Sequence, residues 1–199
     1  MRFYPKGRFK TLAVVLALAY GLGFSLAARA QQAPADGPRY TNGTNLVRPA
    51  DYREWTFLSS GLGMTYQPPA GSQSAPPFGN VFVNPSSYRS FMQTGKWPDK
   101  TIFVLEIRAS ESEASINKGG RFQTRLAGLE AEVKDSRFPD GWAFFNLSTN
   151  DVAAPLSGER VAACVECHTK NTAVERTFVQ FYPTLLEVAR QKGTLKPGF

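Results

Sequence analysis

The sequence predicts an α+β fold: a mostly antiparallel β-sheet with a few helices and a C-terminal helical segment that contains the main candidate functional residues. Stretches rich in β-branched and aromatic residues are separated by short turns, which is typical of antiparallel strands. The strand–helix alternation of a parallel βαβ sheet is absent. The helical pattern at Arg160–Lys170 includes the chain's only histidine and both of its cysteines.

Residues 1–30 are predicted to be a signal peptide. The first ten residues carry four basic and no acidic side chains, an apolar run follows, and Ala28-Arg29-Ala30 matches a signal-peptidase site. We therefore expect cleavage before Gln31 and export to the periplasm. The alternative, an uncleaved membrane anchor, is disfavoured because the apolar run is short for a membrane span, so no membrane association is expected after cleavage.

The charge of the mature chain argues against a nucleic-acid partner. The whole sequence has a formal net charge of +7, but residues 1–30 hold five Lys/Arg and no Asp/Glu, which leaves +2 for the remainder. No basic cluster interleaved with aromatic residues occurs in 31–199. The mature chain is long enough for one domain with a hydrophobic core.

The first half of the mature chain is predicted to hold strands on either side of one well-capped helix. Residues 31–49 are polar and lack periodicity, so they are predicted to be a flexible leader. The helix begins after Asn84-Pro85 and ends at Gly95, since these residue types favour helix starts and stops. The other predicted elements are a helical turn at Asp51–Trp55, strands at Thr56–Tyr66 and Asn80–Val83, and a surface loop at Gln67–Pro77.

The second half is predicted to supply the central strands and two further helices. Thr101–Arg108 (TIFVLEIR) is the clearest strand signal in the chain. A short connector joins two more predicted strands, Arg121–Asp135 and Gly141–Ser148, so we expect an antiparallel hairpin. The two predicted helices are Arg160–Lys170 and Thr184–Lys192.

Cys164-Val165-Glu166-Cys167-His168 matches the C-x-x-C-H pattern of covalent haem attachment. Two thiols on one helical turn can form thioethers with the two vinyl groups of a porphyrin, and the adjacent histidine can bind the iron. The sequence therefore predicts one covalently attached haem c, held by Cys164 and Cys167, with His168 as the metal ligand. Residues 50–199 are predicted to form this haem domain.

Two other uses of the motif were weighed. A zinc site would need a fourth ligand, and the chain has no further cysteine or histidine. A redox disulfide is the stronger alternative, although that motif normally follows a strand in a βαβ pattern.

The second axial position of the iron decides between an electron carrier and a ligand-binding haem. No second histidine exists, and the mature chain has only Met64 and Met92. Met92 lies on a predicted helix and is expected to pack in the hydrophobic core. Met64 remains a candidate for the sixth iron ligand. We expect a five-coordinate iron with an open face.

An ordered set of motifs resembles the cytochrome P-460 family over about residues 50–195. The motifs are Tyr52-x-x-Trp55, Asn80–Pro85 (NVFVNP), Thr94–Asp99 (TGKWPD), TIFVLEIR, Val133–Asp135 (VKD), Gly141–Phe145 (GWAFF), C-x-x-C-H and Phe178–Pro183 (FVQFYP). The resemblance implies an antiparallel β domain, often a homodimer, with one pentacoordinate haem c against the sheet. It also implies either hydroxylamine oxidation, as in the P-460 type, or nitric oxide or carbon monoxide binding, as in the related cytochromes c′-β.

A lysine bonded to the porphyrin edge distinguishes the P-460 type in this resemblance. The corresponding position falls at Leu105, which cannot form the bond. Lys96, Lys100 and Lys134 are the other candidates in this chain, each with an ordinary solvated role as the alternative.

The predicted site residues beyond the motif lie on strands. Phe103, Leu105 and Ile107 share one face of their strand, and an apolar haem pocket is expected if that face meets the haem; Phe103 and Leu105 are thus candidate haem contacts. Glu130 and Glu132 share a face of the next strand and are candidate catalytic general bases for hydroxylamine oxidation, with a solvent-facing strand edge as the alternative. Trp142, Phe144 and Phe145 are candidates for lining the haem edge.

Three functions remain open from the sequence. They are hydroxylamine oxidation, non-catalytic nitric oxide or other gas binding, and simple electron transfer by a six-coordinate haem. The expected partners are a small-molecule ligand, a redox partner protein and a second copy of the chain.

Overall fold

The computed structural model describes Met1 and residues 34–65 and 75–199, and it confirms the predicted α+β class. The predicted signal peptide and most of the predicted loop at 67–77 lie outside the described residues. The described strands are β1 (Tyr40–Thr41), β2 (Asn45–Val47), β3 (Thr56–Leu62), β4 (Phe78–Val83), β5 (Thr101–Glu111), β6 (Phe122–Lys134), β7 (Trp142–Asn146) and β8 (Val152–Ala153). The helices are α1 (Pro85–Thr94), α2 (Gly158–Lys170) and α3 (Pro183–Lys192), with 3-10 turns at Tyr52–Glu54 and Val179–Phe181.

The larger sheet has five antiparallel strands in the order β3-β4-β5-β6-β7. Its centre is the long β5–β6 pair, in which Phe103 lies opposite Glu132 and Leu105 opposite Glu130. β6 and β7 form the predicted hairpin. Because side chains alternate between the two faces of a strand, this register assigns each site candidate to one face.

A smaller sheet, in the order β1-β2-β8, corrects the prediction of a flexible leader over residues 31–49. Residues 40–47 form β1 and β2 instead, and β2 pairs with β8 far along the chain. Leu46 is fully buried there, against a core that includes Val104, Ala131 and Phe145 on one face of the large sheet. Strands of two and three residues are too short to show a periodic pattern, which is why the sequence did not reveal them.

A second core covers one end of the opposite face of the large sheet. It is formed by α1, α3 and the segment after α2, with Phe91, Trp97, Phe103, Val179 and Leu185 at its centre. The ends of α1 match the prediction: Pro85 lies in its first turn, and Gly95 closes it in a left-handed conformation. Within the described residues, no helix is both long and apolar enough to cross a membrane.

Candidate haem-binding site

The attachment motif lies on α2, with its three reactive side chains on one side of the helix. Cys164, Cys167 and His168 stand at positions i, i+3 and i+4, which share a helix face. All three are half-buried, whereas Glu166 and Lys170 are exposed and form an ion pair with each other. Both cysteines are free thiols. The helix therefore presents two sulfurs and one imidazole towards the body of the domain.

The imidazole of His168 is held by four contacts. Its Nδ1 lies 2.8 Å from the carbonyl oxygen of Arg176 and 3.1 Å from Oε1 of Glu132. The rings of Phe144 and Phe178 meet it edge-on, with centroids at 4.8 and 4.7 Å. A backbone carbonyl can only accept a hydrogen bond, so Nδ1 carries the proton and Nε2 keeps its lone pair. An iron ligand requires this tautomer.

The segment after α2 supplies two of these contacts and is fixed to the second core. The Trp97 Nε1–H donates to Oγ1 of Thr177 at 2.8 Å, and both residues are buried. Val174 and Val179, which flank Thr177 in the sequence, are buried in the same core as Trp97. This anchoring places the Arg176 carbonyl and the Phe178 ring beside His168. Neither residue was predicted at the site from the sequence: Phe178 entered only as part of the FVQFYP motif, and the backbone carbonyl of Arg176 has no side-chain signal.

The face of the large sheet that carries Phe103, Leu105 and Ile107, which we call the site face, meets the imidazole side of α2. Glu132 and Phe144 are paired neighbours on this face, and both contact His168. Phe103 is paired with Glu132 and so lies in the same row, that is, the line of paired residues that runs across the strands. It is buried against Trp97, with ring centroids 4.7 Å apart. Phe145 points into the opposite core. Of the three candidate aromatics on β7, Phe144 is the one in contact with the imidazole.

Beyond Glu132 the site face carries aliphatic side chains on its central strands, with the exposed Glu130 beside them. The next row pairs Val81, Leu105 and Glu130. In the row after it, Ile107 lies between Gly79 and Gly128. A Cβ at Gly79 would be 3.3 Å from Cδ1 of Leu105, and one at Gly128 would be 3.3 Å from Cδ1 of Ile107. The missing Cβ atoms thus give Leu105 and Ile107 room to lie along the sheet.

The two predicted carboxylates have different surroundings. Glu132 lies beside His168 and has only a small exposed fraction, whereas Glu130 is exposed. Burial raises the pKa of Glu132, against the opposing effects of His168 and Arg176. Burial also raises the pKa of the Cys164 thiol, and the negative charges of Glu130 and Glu132 add to that effect. Glu130 is therefore near the attachment cysteine, with its own carboxylate open to solvent.

The lysines considered for a porphyrin cross-link have their amines away from Leu105 or bound to other groups. The amine of Lys100 is paired with the buried carboxylate of Asp135. The Lys134 amine donates to the carbonyl oxygen of Trp97 at 2.7 Å and to Oε2 of Glu175 at 2.8 Å. Lys96 is exposed just after the end of α1.

The two methionines differ in position. Met92 is exposed on α1, so the expectation that it belongs to the core is wrong. Met64 is exposed as well, and its sulfur folds over Gly61 at the far end of the site face. Met64 is therefore the methionine on the same face as the imidazole.

Comparisons with known proteins agree with the resemblance of the motifs. The family model described as cytochrome P460 matches residues 49–179. This range includes both cysteines, His168, Arg176 and Phe178. No curated protein matches the chain significantly.

Proposed function

Because the chain belongs to the cytochrome P460 family and is thereby a c-type haem cytochrome, we propose that it is a periplasmic mono-haem protein that binds a small gas such as nitric oxide. The iron is five-coordinate in this proposal, with one open position and no lysine cross-link. A redox partner protein supplies or removes its electron. The single C-x-x-C-H motif supports one haem, and the basic, apolar start of the chain supports export.

The side chains of α2 fit a covalently bound haem. Cys164 and Cys167 would form the two thioethers, and Nε2 of His168 would bind the iron, since Nδ1 is already engaged. Bound in this way, haem supplies an iron atom that can take up a diatomic ligand. The protein holds the imidazole in one tautomer and one orientation through Glu132, Arg176 and the two phenylalanine rings.

The leucine at position 105 is the observation that favours gas binding over catalysis. It occupies the position at which the P-460 type has its cross-linking lysine, and the amines of Lys100 and Lys134 are held by other groups. Leu105, Ile107 and Val81 also give the site face hydrocarbon side chains without hydrogen-bond donors. Such a surface favours an uncharged diatomic molecule over a polar substrate.

Hydroxylamine oxidation is the second candidate, and Glu130 favours it. Its exposed carboxylate on the site face could accept protons from a bound substrate. A third candidate, a six-coordinate electron carrier, would use Met64, which lies on the same face. A homodimer is also part of the proposal, and the exposed Phe57 and Leu62 on the edge strand β3 support it.

The test is the visible spectrum and intact mass of protein produced with a working haem-ligation system. We expect one added haem, a normal c-type ferrous band, a five-coordinate iron and a spectral change with nitric oxide. A red-shifted ferrous band with hydroxylamine turnover would favour the second candidate, and a low-spin six-coordinate spectrum the third. A protein without haem would refute all three.

Two sets of variants locate the haem. Cys164→Ser combined with Cys167→Ser should give protein from which acidified organic solvent extracts all pigment, whereas the wild type keeps it. Leu105→Phe should slow carbon monoxide association with the ferrous protein, because the larger ring narrows the site face. Met92→Leu is the control, since Met92 is exposed on α1, and it should leave that rate unchanged.

A further inference from the structure

Glu132 occupies a position where the surrounding sheet favours an apolar residue. Its row on the site face contains Val83, Phe103 and Phe144, all of them buried. Removing a carboxylate from water into such surroundings costs several kcal/mol unless a partner compensates. A leucine here would pack against the same neighbours without that cost. The presence of a carboxylate therefore points to a role other than stability.

The partner of the Glu132 carboxylate within the described residues is the imidazole of His168. Oε1 lies 3.1 Å from Nδ1, the nitrogen opposite the one available to iron. Arg176 is close enough for the charge of its guanidinium group to act on Glu132. The same Arg176 contributes its carbonyl oxygen to Nδ1 at 2.8 Å. The proton of Nδ1 is thus shared between a carbonyl and a carboxylate.

The orientation of the ring does not require this carboxylate. Phe144 and Phe178 confine the ring from its sides, and the Arg176 carbonyl fixes the rotation of the ring and the tautomer. Glu132 adds negative charge next to the Nδ1 proton. A carboxylate hydrogen-bonded to a metal-bound histidine makes the imidazole a stronger electron donor to the metal.

We propose that Glu132 is a positioning residue that acts on the haem iron through His168 and stabilises its ferric state. This inference rests on the proposed haem function and deepens it. A more strongly donating imidazole favours Fe(III) over Fe(II) and lowers the reduction potential. Glu132 therefore shifts the balance between the two oxidation states of the iron, a role different from the general-base role predicted from its place on the strand.

The experiment compares Glu132→Gln with Glu130→Gln in the purified holoprotein. Both substitutions remove one negative charge from β6, but only the first removes it from the imidazole. We expect Glu132→Gln to change the ferrous-to-ferric ratio about tenfold in favour of Fe(II), a rise of about 59 mV for a one-electron couple. Glu130→Gln should change that ratio less than about threefold. A shift below threefold for Glu132→Gln, or equal shifts for both variants, would overturn the proposal.

Resonance Raman spectroscopy supplies a second readout. In the ferrous protein the iron–histidine stretching frequency should fall in Glu132→Gln and stay at the wild-type value in Glu130→Gln. If Glu132→Gln does not fold, Glu132→Asp tests the same idea, since its shorter side chain withdraws the carboxylate from Nδ1. An unchanged frequency in the folded variant contradicts the inference. Absence of haem from the wild type would instead refute the proposed function, so the two failures are distinguishable.

Discussion

Replacing Glu106 by glutamine should remove a large part of the stability of the fold at neutral pH without touching the haem-binding site. The Glu106 side chain is 4% exposed and lies on β5, on the face opposite the site face. Its carboxylate accepts hydrogen bonds from Arg108 Nε at 2.6 Å and Asn80 Nδ2 at 3.2 Å. Arg53 adds an ion pair at 2.7 Å, and the Tyr52 hydroxyl donates a further hydrogen bond.

The magnitude follows from the pKa of Glu106. Burial by itself would raise this pKa, but the hydrogen bonds from Arg108, Tyr52, Arg53 and Asn80 outweigh it and lower the pKa from 4.5 to about 2. At 1.36 kcal/mol per pKa unit, the ionised form contributes about 3 kcal/mol to the free energy of unfolding. Because the pKa is lower in the folded state, this contribution is complete above about pH 5 and is lost as the pH falls towards 2.

The assay is urea unfolding of the wild type and Glu106→Gln from pH 7 to pH 2. Glu106→Gln should be less stable by about 3 kcal/mol at pH 7, and the difference should shrink towards acid because the wild type alone loses this contribution. Other acidic groups titrate in both proteins and cancel in the difference. The exposed Glu113 provides a charge-matched control, Glu113→Gln, whose curve should run parallel to the wild type. A stability difference that is constant from pH 7 to pH 2 would refute the reasoning.

Two further variants test the elements that support the site. Trp97→Phe should lower the free energy of unfolding by about 2–3 kcal/mol, because it removes buried ring volume and the hydrogen bond to Thr177. Urea unfolding measures this loss. A loss below about 1 kcal/mol would contradict the anchoring of the segment after α2. Gly95→Ala should cost more than about 1 kcal/mol, since Gly95 has φ +70° and a Cβ there would lie 2.8 Å from Cβ of Lys192. A thermal unfolding midpoint equal to that of the wild type would contradict that expectation.

Local signals predicted the parts of the fold that depend on neighbours in the sequence. Thr101–Arg108 is a strand because its β-branched and aromatic residues suit a buried pleat, and α1 begins and ends at the residues that cap it. The C-x-x-C-H motif is equally local, so the haem site could be located without the structure. β1, β2 and β8 were missed because each is only two or three residues long and β2 is joined to β8 by pairing across about a hundred residues.

The role of Glu132 could not be predicted for the same reason. The sequence shows that Glu130 and Glu132 share a strand face, and this makes them look equivalent. What separates them is a contact between residues 36 positions apart, His168 and Glu132. The carbonyl of Arg176 is even less visible, because any residue type would offer the same atom. Sequence patterns therefore located the haem-bearing residues, while the groups that control the imidazole required the tertiary structure.

Glu106 and Glu132, two carboxylates of the large sheet with little exposure, have opposite relations to the fold. Glu106 is surrounded by two guanidinium groups, a hydroxyl and an amide from four different residues, so its charge is compensated within the protein itself. Glu132 has apolar neighbours in its row and one imidazole whose other nitrogen is left open. A carboxylate of the first kind holds strands and turns together, and its loss is measured in stability. A carboxylate of the second kind acts on whatever the imidazole binds. Since the two side chains lie on opposite faces of one sheet, the β5–β6 pair keeps the groups that stabilise the fold apart from those that adjust the iron.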